Sequence, residues 1–409
     1  MPHKPLTEKL ERFSSQIAAS SDSKAEFRFP ERYRLLADAL GGELVPGGAG
    51  CYCRIRTLYP AGYSHGLFTI NSTEETKSFP SAAFSTGDPG LDLPASSMVF
   101  LDTETTGLGG TGTVAFLIGL GRINGNGFEI IQYLIPDYSD EAAMLQDVYE
   151  NLNRDSTIVS FNGASFDIPV LLDRMIINRV TRRFEFGYHL DLLHPARRLF
   201  KRRLLDCTLI NLERQLFSFY RADDIPGYLV PSVYFEWLTS QELSRMNSVL
   251  KHNRCDIISL YFLARLLAEA YQSEGKILTY SEDLYSLSRF FERRKETGKI
   301  EKVYQRVQHS PNGLAPEAAL HYARNFKRTQ NIKQSVEIWE SLAGDKTSHS
   351  FWACLELAKY YEHEARNVVT ALEYSDCAAK CKPINERQLR ELKKRVSRLN
   401  RKLHRPPEN

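Results

Sequence analysis

Three apolar runs follow one another between residues 97 and 136: "SMVFLD", "TVAFLIGLGRI" and "GFEIIQYLIP", each parted from the next by a Gly-rich turn. Runs this short, rich in β-branched and aromatic residues, predict an antiparallel meander. "DEAAMLQDVYENL" then has helical spacing, "TIVSFN" reads as a further strand, and "DIPVLLDRMIINRV" as a helix with Pro169 in its first turn. From "YHLDLLHPARRLF" a helical stretch is expected to run past "LLDCTLINLERQLF". "HNRCDIISLYFLARLLAEAYQ" is a long helix with an apolar stripe at 257, 260, 261, 264 and 267. Three strands, a helix, a strand and then helices bury their apolar faces as layers, so the class is α/β: a mixed sheet flanked by helices.

What flanks this block differs from it. Residues 1–96 read as an N-terminal extension: a polar leader, one helix ("RYRLLADALGG") and a pair of strands in "VPGGAGCYCRIRTLYPAGYSHGLFTI", then a Ser, Pro, Gly and Asp-rich loop. The α/β block is expected over 97–272, and an all-α region over 273–409. In the latter, "ALHYARNFKRTQNIKQSVEIWESL" overlays on "LELAKYYEHEARNVVTALEYSDCA", with Ala323 on Ala358 and Phe326 on Tyr361. The period of about 35 residues is close to the roughly 34 of tetratricopeptide repeats. Two units fall short of the three or so that a free-standing array needs, so these helices either shield the neighbouring block or recruit a protein partner.

The totals exclude little. Lys and Arg number 53 against 50 Asp and Glu, so any anionic partner must be argued from local clusters. The start, "MPHKPLTEKLERFSSQ", has no apolar segment of the secretory kind, and no stretch approaches the ~20 apolar residues of a membrane span; a cytoplasmic protein is expected. Seven scattered cysteines without a CxxC unit fit a reducing compartment. Cys51, Cys53 and His65 could be imagined on zinc, but structural zinc wants four spaced ligands, and strand cysteines are the simpler reading.

The first apolar run ends on Asp102 and Glu104, two positions apart and therefore on one side of a strand. No Lys or Arg lies beside them in sequence before Arg122. A solvated turn capped by Asp102 and Thr103 explains an isolated pair of this kind. A hard divalent cation is the other explanation, because Mg²⁺ and Mn²⁺ prefer oxygen donors. "SFNGASFDIP" offers Asp167 where a strand gives way to a helix, a position a helix cap would also occupy. "HNRCDIISL" offers Asp256 with His252 four residues earlier, on the same helix face.

In this order the pieces DxE, NGxxFD and HxxxD resemble the three motifs of the DEDD superfamily of 3′→5′ exonucleases. More closely, "LDTETTGLGGTGTVAFLIGLG", "FNGASFDIPVL", "HLDLLHPARRL", "CTLINLERQL", "DIPGYLVPSVYFEWL" and "HNRCDIISL" resemble the YprB-type ribonuclease H-like family over about 97–270. The resemblance implies a ribonuclease H-like fold and metal-dependent 3′→5′ hydrolysis of single-stranded DNA or RNA. It implies that Asp102, Glu104, Asp167 and Asp256 hold two divalent ions, Mg²⁺ or Mn²⁺. Asp102 would bridge both, Glu104 and Asp256 would complete one site, and Asp167 would serve the other; two ions about 4 Å apart suit an in-line displacement at phosphorus. His252 becomes the candidate general base. Its four-residue spacing to Asp256 is the one usually occupied by tyrosine in the superfamily, whose histidine usually stands five residues before the last Asp. A structure-selective endonuclease of the same fold, or a non-catalytic nucleic-acid-binding scaffold, are the alternatives.

The candidate substrate-binding residues are Thr105, Asn162, Arg197, Arg198 and Lys201. Asn162 and Gly163 also suit the turn that aims Asp167. "RRLFKRR", 197–203, is dense enough in Arg and Lys to follow a phosphate backbone, though a solvated helix face would look the same. Asp191, near His194, is a candidate supporting carboxylate behind the ligands, or a cap for the next helix. "GLGGTGT", 107–113, lacks the ending of a phosphate-binding loop and reads as a hairpin connection.

Overall fold

A computed structural model describes residues 28–48, 50–70, 78–87, 90–107, 110, 112–125, 127–180, 186–308, 315–345, 348–381 and 385–404. The polar leader over 1–27 and positions 108, 109 and 111 of the Gly-rich turn lie outside the described residues.

The first helix, α1 (Glu31–Leu40), stops at Gly41, whose left-handed φ of 64° ends a helix at little steric cost. β1 (Glu43–Gly47) and β2 (Gly50–Pro60) form a hairpin, and the short pairs β3 (Ser64–His65) with β4 (Phe68–Thr69) and β5 (Ser78–Pro80) with β6 (Asp92–Pro94) follow. The expected meander is β7 (Met98–Thr105), β8 (Ala115–Asn124) and β9 (Gly127–Leu134). Then come α2 (Glu141–Asn151), β10 (Thr157–Ser160), α3 (Asp167–Ile177), β11 (Tyr188–Asp191), α4 (Leu193–Phe200), α5 (Leu209–Leu212), a π-helical turn (Glu213–Phe217), α6 (Val230–Ser240) and the long α7 (Met246–Gln272). The rest is helical: α8 (Ser281–Arg294), α9 (Thr297–Gln308), α10 (Ala315–Arg328), α11 (Ile332–Leu342), α12 (Ser348–His363), α13 (Val368–Lys380) and α14 (Glu386–Leu403).

Seven strands form one sheet in the order β1-β2-β9-β8-β7-β10-β11. β10 runs parallel to β7 and β11, and every other pairing is antiparallel, so the sheet is mixed as expected. The β1–β2 hairpin continues the meander, pairing Cys53 through Pro60 of β2 with Leu134 back to Gly127 of β9. Strand alternation divides the core in two. Met98 and Phe100 of β7 face α4, α7 and the helices beyond; Val99 and Leu101 face α1, α2, α3 and α6.

One expectation needs correcting. Residues 188–217 are not a continuous helical stretch, because Tyr188–Asp191 pairs with β10 as a strand, with Leu190 buried opposite Val159. Burial in a parallel ladder outweighs the weak helical preference of four residues. After α4 the chain breaks again, and the Asp206 carboxylate accepts from the Thr208 N–H and hydroxyl (2.9 and 2.8 Å) where α5 begins.

Two strand glycines let α7 approach the sheet. A Cβ at Gly119 would come within 2.3 Å of Asn253 Oδ1 and Ile257 Cδ1, and one at Gly121 within 2.5 Å of Ile257 Cγ2 and Phe128. Overpacking of that kind costs about 1–3 kcal/mol and would push α7 off β8. The expected apolar stripe of α7, including Ile257, Leu260, Tyr261, Ala264 and Leu267, is buried in the core on this face. Cys51 and Cys53 are buried strand residues in the opposite core, whereas His65 stacks on Phe219 at 3.7 Å between ring centroids, so the three do not meet. Among the described residues, no helix is long and apolar enough to cross a membrane.

Candidate active site

β7 ends on the side of the sheet that carries α7, and this brings Asp102 and Glu104 against that helix. The Asn253 side-chain amide, fully buried on α7, donates to the Asp102 carboxylate (2.7 Å) and to its backbone carbonyl (3.2 Å). Asn253 is held in turn, its Oδ1 accepting from Gln132 Nε2 (2.8 Å) on β9. Thr103, between the two acids, serves Asp167: its hydroxyl and backbone N–H both donate to Asp167 Oδ1 (2.6 and 3.1 Å).

Asp167 opens α3 just past β10, and the turn before it is held from β11. Asp191 Oδ1 accepts from the N–H of Asn162 (2.8 Å) and of Leu193 (3.1 Å), and its Oδ2 accepts from Ala164 (3.1 Å). Asp191 thus supports both the Asp167 turn and the start of α4. Asn162 takes a left-handed φ of 65°, and a Cβ at Gly163 would strike Ser160 Oγ at 2.3 Å. Both are turn residues here. Thr105 donates its hydroxyl to the Gly107 carbonyl (2.7 Å), closing the strand end.

His252 and Asp256 project from α7 one turn apart, with His252 Nε2 3.5 Å from Asp256 Oδ2. The imidazole is 7% exposed, and its Nδ1 lies 2.9 and 3.1 Å from the two oxygens of Asp224. Among the described residues, Glu104, His252 and Asp256 are the group whose ligand atoms all lie within 4.8 Å of one another. Asp102 and Asp167 stand beside this trio rather than inside it.

The nearby cation is Arg221, on the loop between the π-helical turn and α6. It spans three carboxylates: Glu213 (Nη2 at 2.5 Å, Nε at 2.8 Å), Asp224 (Nη1 at 3.2 Å) and Asp256. Arg122, the closest cation in sequence, instead donates to the Asn151 carbonyl.

Charge remains in excess. Burial, with Asp256, Glu104 and Asp167 nearby, raises Asp102 well above the ordinary carboxylate range. Burial also pushes Glu104 up to about 8, although His252 opposes the shift, and Asp167 up to about 6 despite the bonds from Thr103. Burial works against a charge on His252, but Asp224, Asp256 and Glu104 outweigh it and raise its pKa to about 9. Oxygen-rich donors with more negative charge than their neighbours neutralise fit hard divalent ions.

The basic tract divides. Arg198 is half-buried and engaged within the fold: its Nη1 donates to the Phe84 carbonyl (3.2 Å) and its guanidinium lies 4.7 Å above the Phe290 ring. Arg202 pairs with Glu317 (2.6 Å), and Arg203 with Asp283 (2.7 Å), so these residues fasten the helical region to α4. Arg197 and Lys201 are exposed.

A family model described as RNase_H superfamily matches residues 99–268. The uncharacterized protein YprB of Bacillus subtilis (strain 168) is 31% identical over 360 residues, which is 86% of this chain and 86% of that protein. The chain belongs to the YprB family. The matched superfamily is in general one of hydrolytic nucleases that use divalent metals, and the YprB-family site described here has the acidic donors such chemistry needs. Sequence reasoning missed Arg221, Asp224, Glu213 and Asn253. The signals available were the quoted stretches "CTLINLERQL", "DIPGYLVPSVYFEWL" and "HNRCDIISL", which contain Glu213, Asp224 and Asn253; none contains Arg221.

Proposed function

We propose that this protein is a divalent-metal-dependent nuclease that removes nucleotides 3′→5′ from single-stranded DNA or RNA. The observation that carries this reading is the largely enclosed excess of carboxylate around the end of β7, where Asp102, Glu104, Asp167 and Asp256 face, among the described residues, Arg221 and His252 as cations. Bound Mg²⁺ or Mn²⁺ ions supply Lewis acidity and neutralise charge developing at the phosphoryl oxygens. The four carboxylates hold the ions; Asn253 orients Asp102, Thr103 orients Asp167, and Asp191 keeps the turn beneath Asp167 in shape. Arg197 on α4, the helix that begins beside Asp191, and Lys201 just past its end are both exposed and are proposed to meet the phosphate backbone.

The helical region is proposed to be a tetratricopeptide-like array that recruits a protein partner, and the protein to act in the cytoplasm. A Mn²⁺-dependent assay on end-labelled and circular, single- and double-stranded DNA and RNA tests the activity, run beside Asp167→Ala. Mononucleotide release from linear single strands, lost in the variant, is expected. Cleavage of circular strands would replace the exonuclease reading with an endonuclease, and binding without any Mn²⁺-dependent product would leave a scaffold.

A further inference from the structure

His252 presents its two ring nitrogens to different surroundings. Nδ1 is engaged by both oxygens of Asp224, at 2.9 and 3.1 Å, with Arg221 Nη1 farther off at 3.4 Å. Nε2 has no hydrogen-bond partner among the described residues and stands 3.5 Å from Asp256 Oδ2, on the side of the ring that faces the group of His252 with Glu104 and Asp256. Resting on the nuclease reading, we propose that His252 is a nitrogen ligand of a divalent ion, sharing that ion with Glu104 and Asp256, rather than a proton shuttle.

A carboxylate on Nδ1 holds a proton there, so Nε2 is the nitrogen open to an ion, its own proton leaving as the ion binds, the arrangement found where histidine binds metal. The surroundings hold that arrangement rigidly. Arg221 Nη1 reaches Asp224 Oδ2 (3.2 Å) and, being a donor only, keeps that carboxylate an acceptor toward the ring. Arg221 Nη2 binds Asp256 Oδ1, which leaves Oδ2 as the oxygen beside Nε2, at 3.5 Å. Arg221 is itself fixed by Glu213, which is 0% exposed and accepts from Ser259 Oγ at 2.5 Å.

The loop is built for this placement. Ser218 and Asp223 adopt left-handed φ values of 52° and 51°, turning the chain so that Arg221 and Asp224 both face α7. A Cβ at Gly227 would stand 3.8 Å from Nε2, so the same loop closes over that edge of the ring. The four-residue spacing of His252 and Asp256 follows as well, since one helical turn stacks two donors over one point. Two carboxylates and an imidazole select ions that accept nitrogen, so Mn²⁺ is preferred to Mg²⁺.

The test is electron spin-echo modulation of the full-length protein loaded with Mn²⁺, with affinities for Mn²⁺ and Mg²⁺ from calorimetry. A ¹⁴N modulation is expected in the wild type, changed by ¹⁵N-histidine labelling and lost in His252→Gln. That variant should bind Mn²⁺ about 10–100-fold more weakly, and Mg²⁺ with little change. The labelling arm needs no mutation and so stands even if the variant fails to fold. Mn²⁺ bound without nitrogen modulation, or modulation that persists in His252→Gln, overturns the ligand role and leaves the nuclease reading intact. A wild type that binds no Mn²⁺ overturns both.

Discussion

Of the regions in which this molecule encloses carboxylates, two treat the charge in opposite ways. On α12, Glu362 has a fully enclosed side chain ringed by Arg395, Arg398 (2.7 Å) and Lys402 (2.9 Å) of α14. Burial alone would raise its pKa, but the bonds from Arg398 and Lys402 and the charge of Arg395 hold it down at about 2. At the end of β7, Asp102, Glu104 and Asp167 are all shifted upward, with Arg221 and His252 as the facing cations among the described residues. A cluster that neutralises itself fastens helices. A cluster left short of cations is the one proposed to receive them from solution.

The contrast can be broken by substitution. The largest effect is expected from Asp102→Asn, which removes the acid proposed to bridge both ions: about a thousandfold loss of Mn²⁺-dependent turnover, equivalent to about 4 kcal/mol of transition-state stabilisation, with an unchanged melting profile. Next, Asp224→Asn frees the His252 ring, and calorimetry should show Mn²⁺ bound about 10–100-fold more weakly. Glu362→Gln should leave nuclease rates alone and lower stability by at most about 2 kcal/mol in denaturant unfolding, because Arg398 and Lys402 are half-exposed.

The smallest effect sharpens the comparison by its sign. The folded Glu104 carboxyl keeps its proton up to about 8 against an ordinary 4.5, so its contribution to stability is full at low pH and is lost as pH rises between these values. Glu362, at about 2 against 4.5, contributes above 4.5 and loses that contribution as pH falls. Unfolding of metal-free protein at pH 5.5 and 8 should therefore show a decline at the higher pH that Mn²⁺ abolishes. The acid-side decline between pH 4.5 and 2 should be indifferent to Mn²⁺ and smaller in Glu362→Gln, the remainder coming from Glu296 and Glu356, which their basic partners also hold low.

How much of this was legible in sequence follows from the range of each interaction. The Asp102 and Glu104 pair was readable because strand alternation is local, and the apolar stripe of α7 because helical periodicity is local too. The β1–β2 hairpin was readable as strands, but its place at the sheet edge was set by β9, far along the chain. The basic tract was legible only in part for the same reason: Arg203 finds Asp283 80 residues away, and Arg198 meets Phe290, partners that no window around residues 197–203 contains. Arg221 escaped notice because its worth lies in joining Glu213, Asp224 and Asp256 at once. His252 was visible, yet its surroundings, which separate a ligand from a base, belong to the folded loop.

The central claim is that the carboxylates of β7, α3 and α7 are short of cations and take them up as divalent ions. Calorimetric titration of the metal-free protein with Mn²⁺ at pH 7, in two buffers of different ionisation enthalpy, tests it most directly. Because Glu104 retains its proton up to about 8, ion binding should release protons, so the apparent heat should change with the buffer, and Asp102→Asn should abolish most of the signal. Absence of binding, or binding with a heat that does not depend on the buffer, would contradict the account.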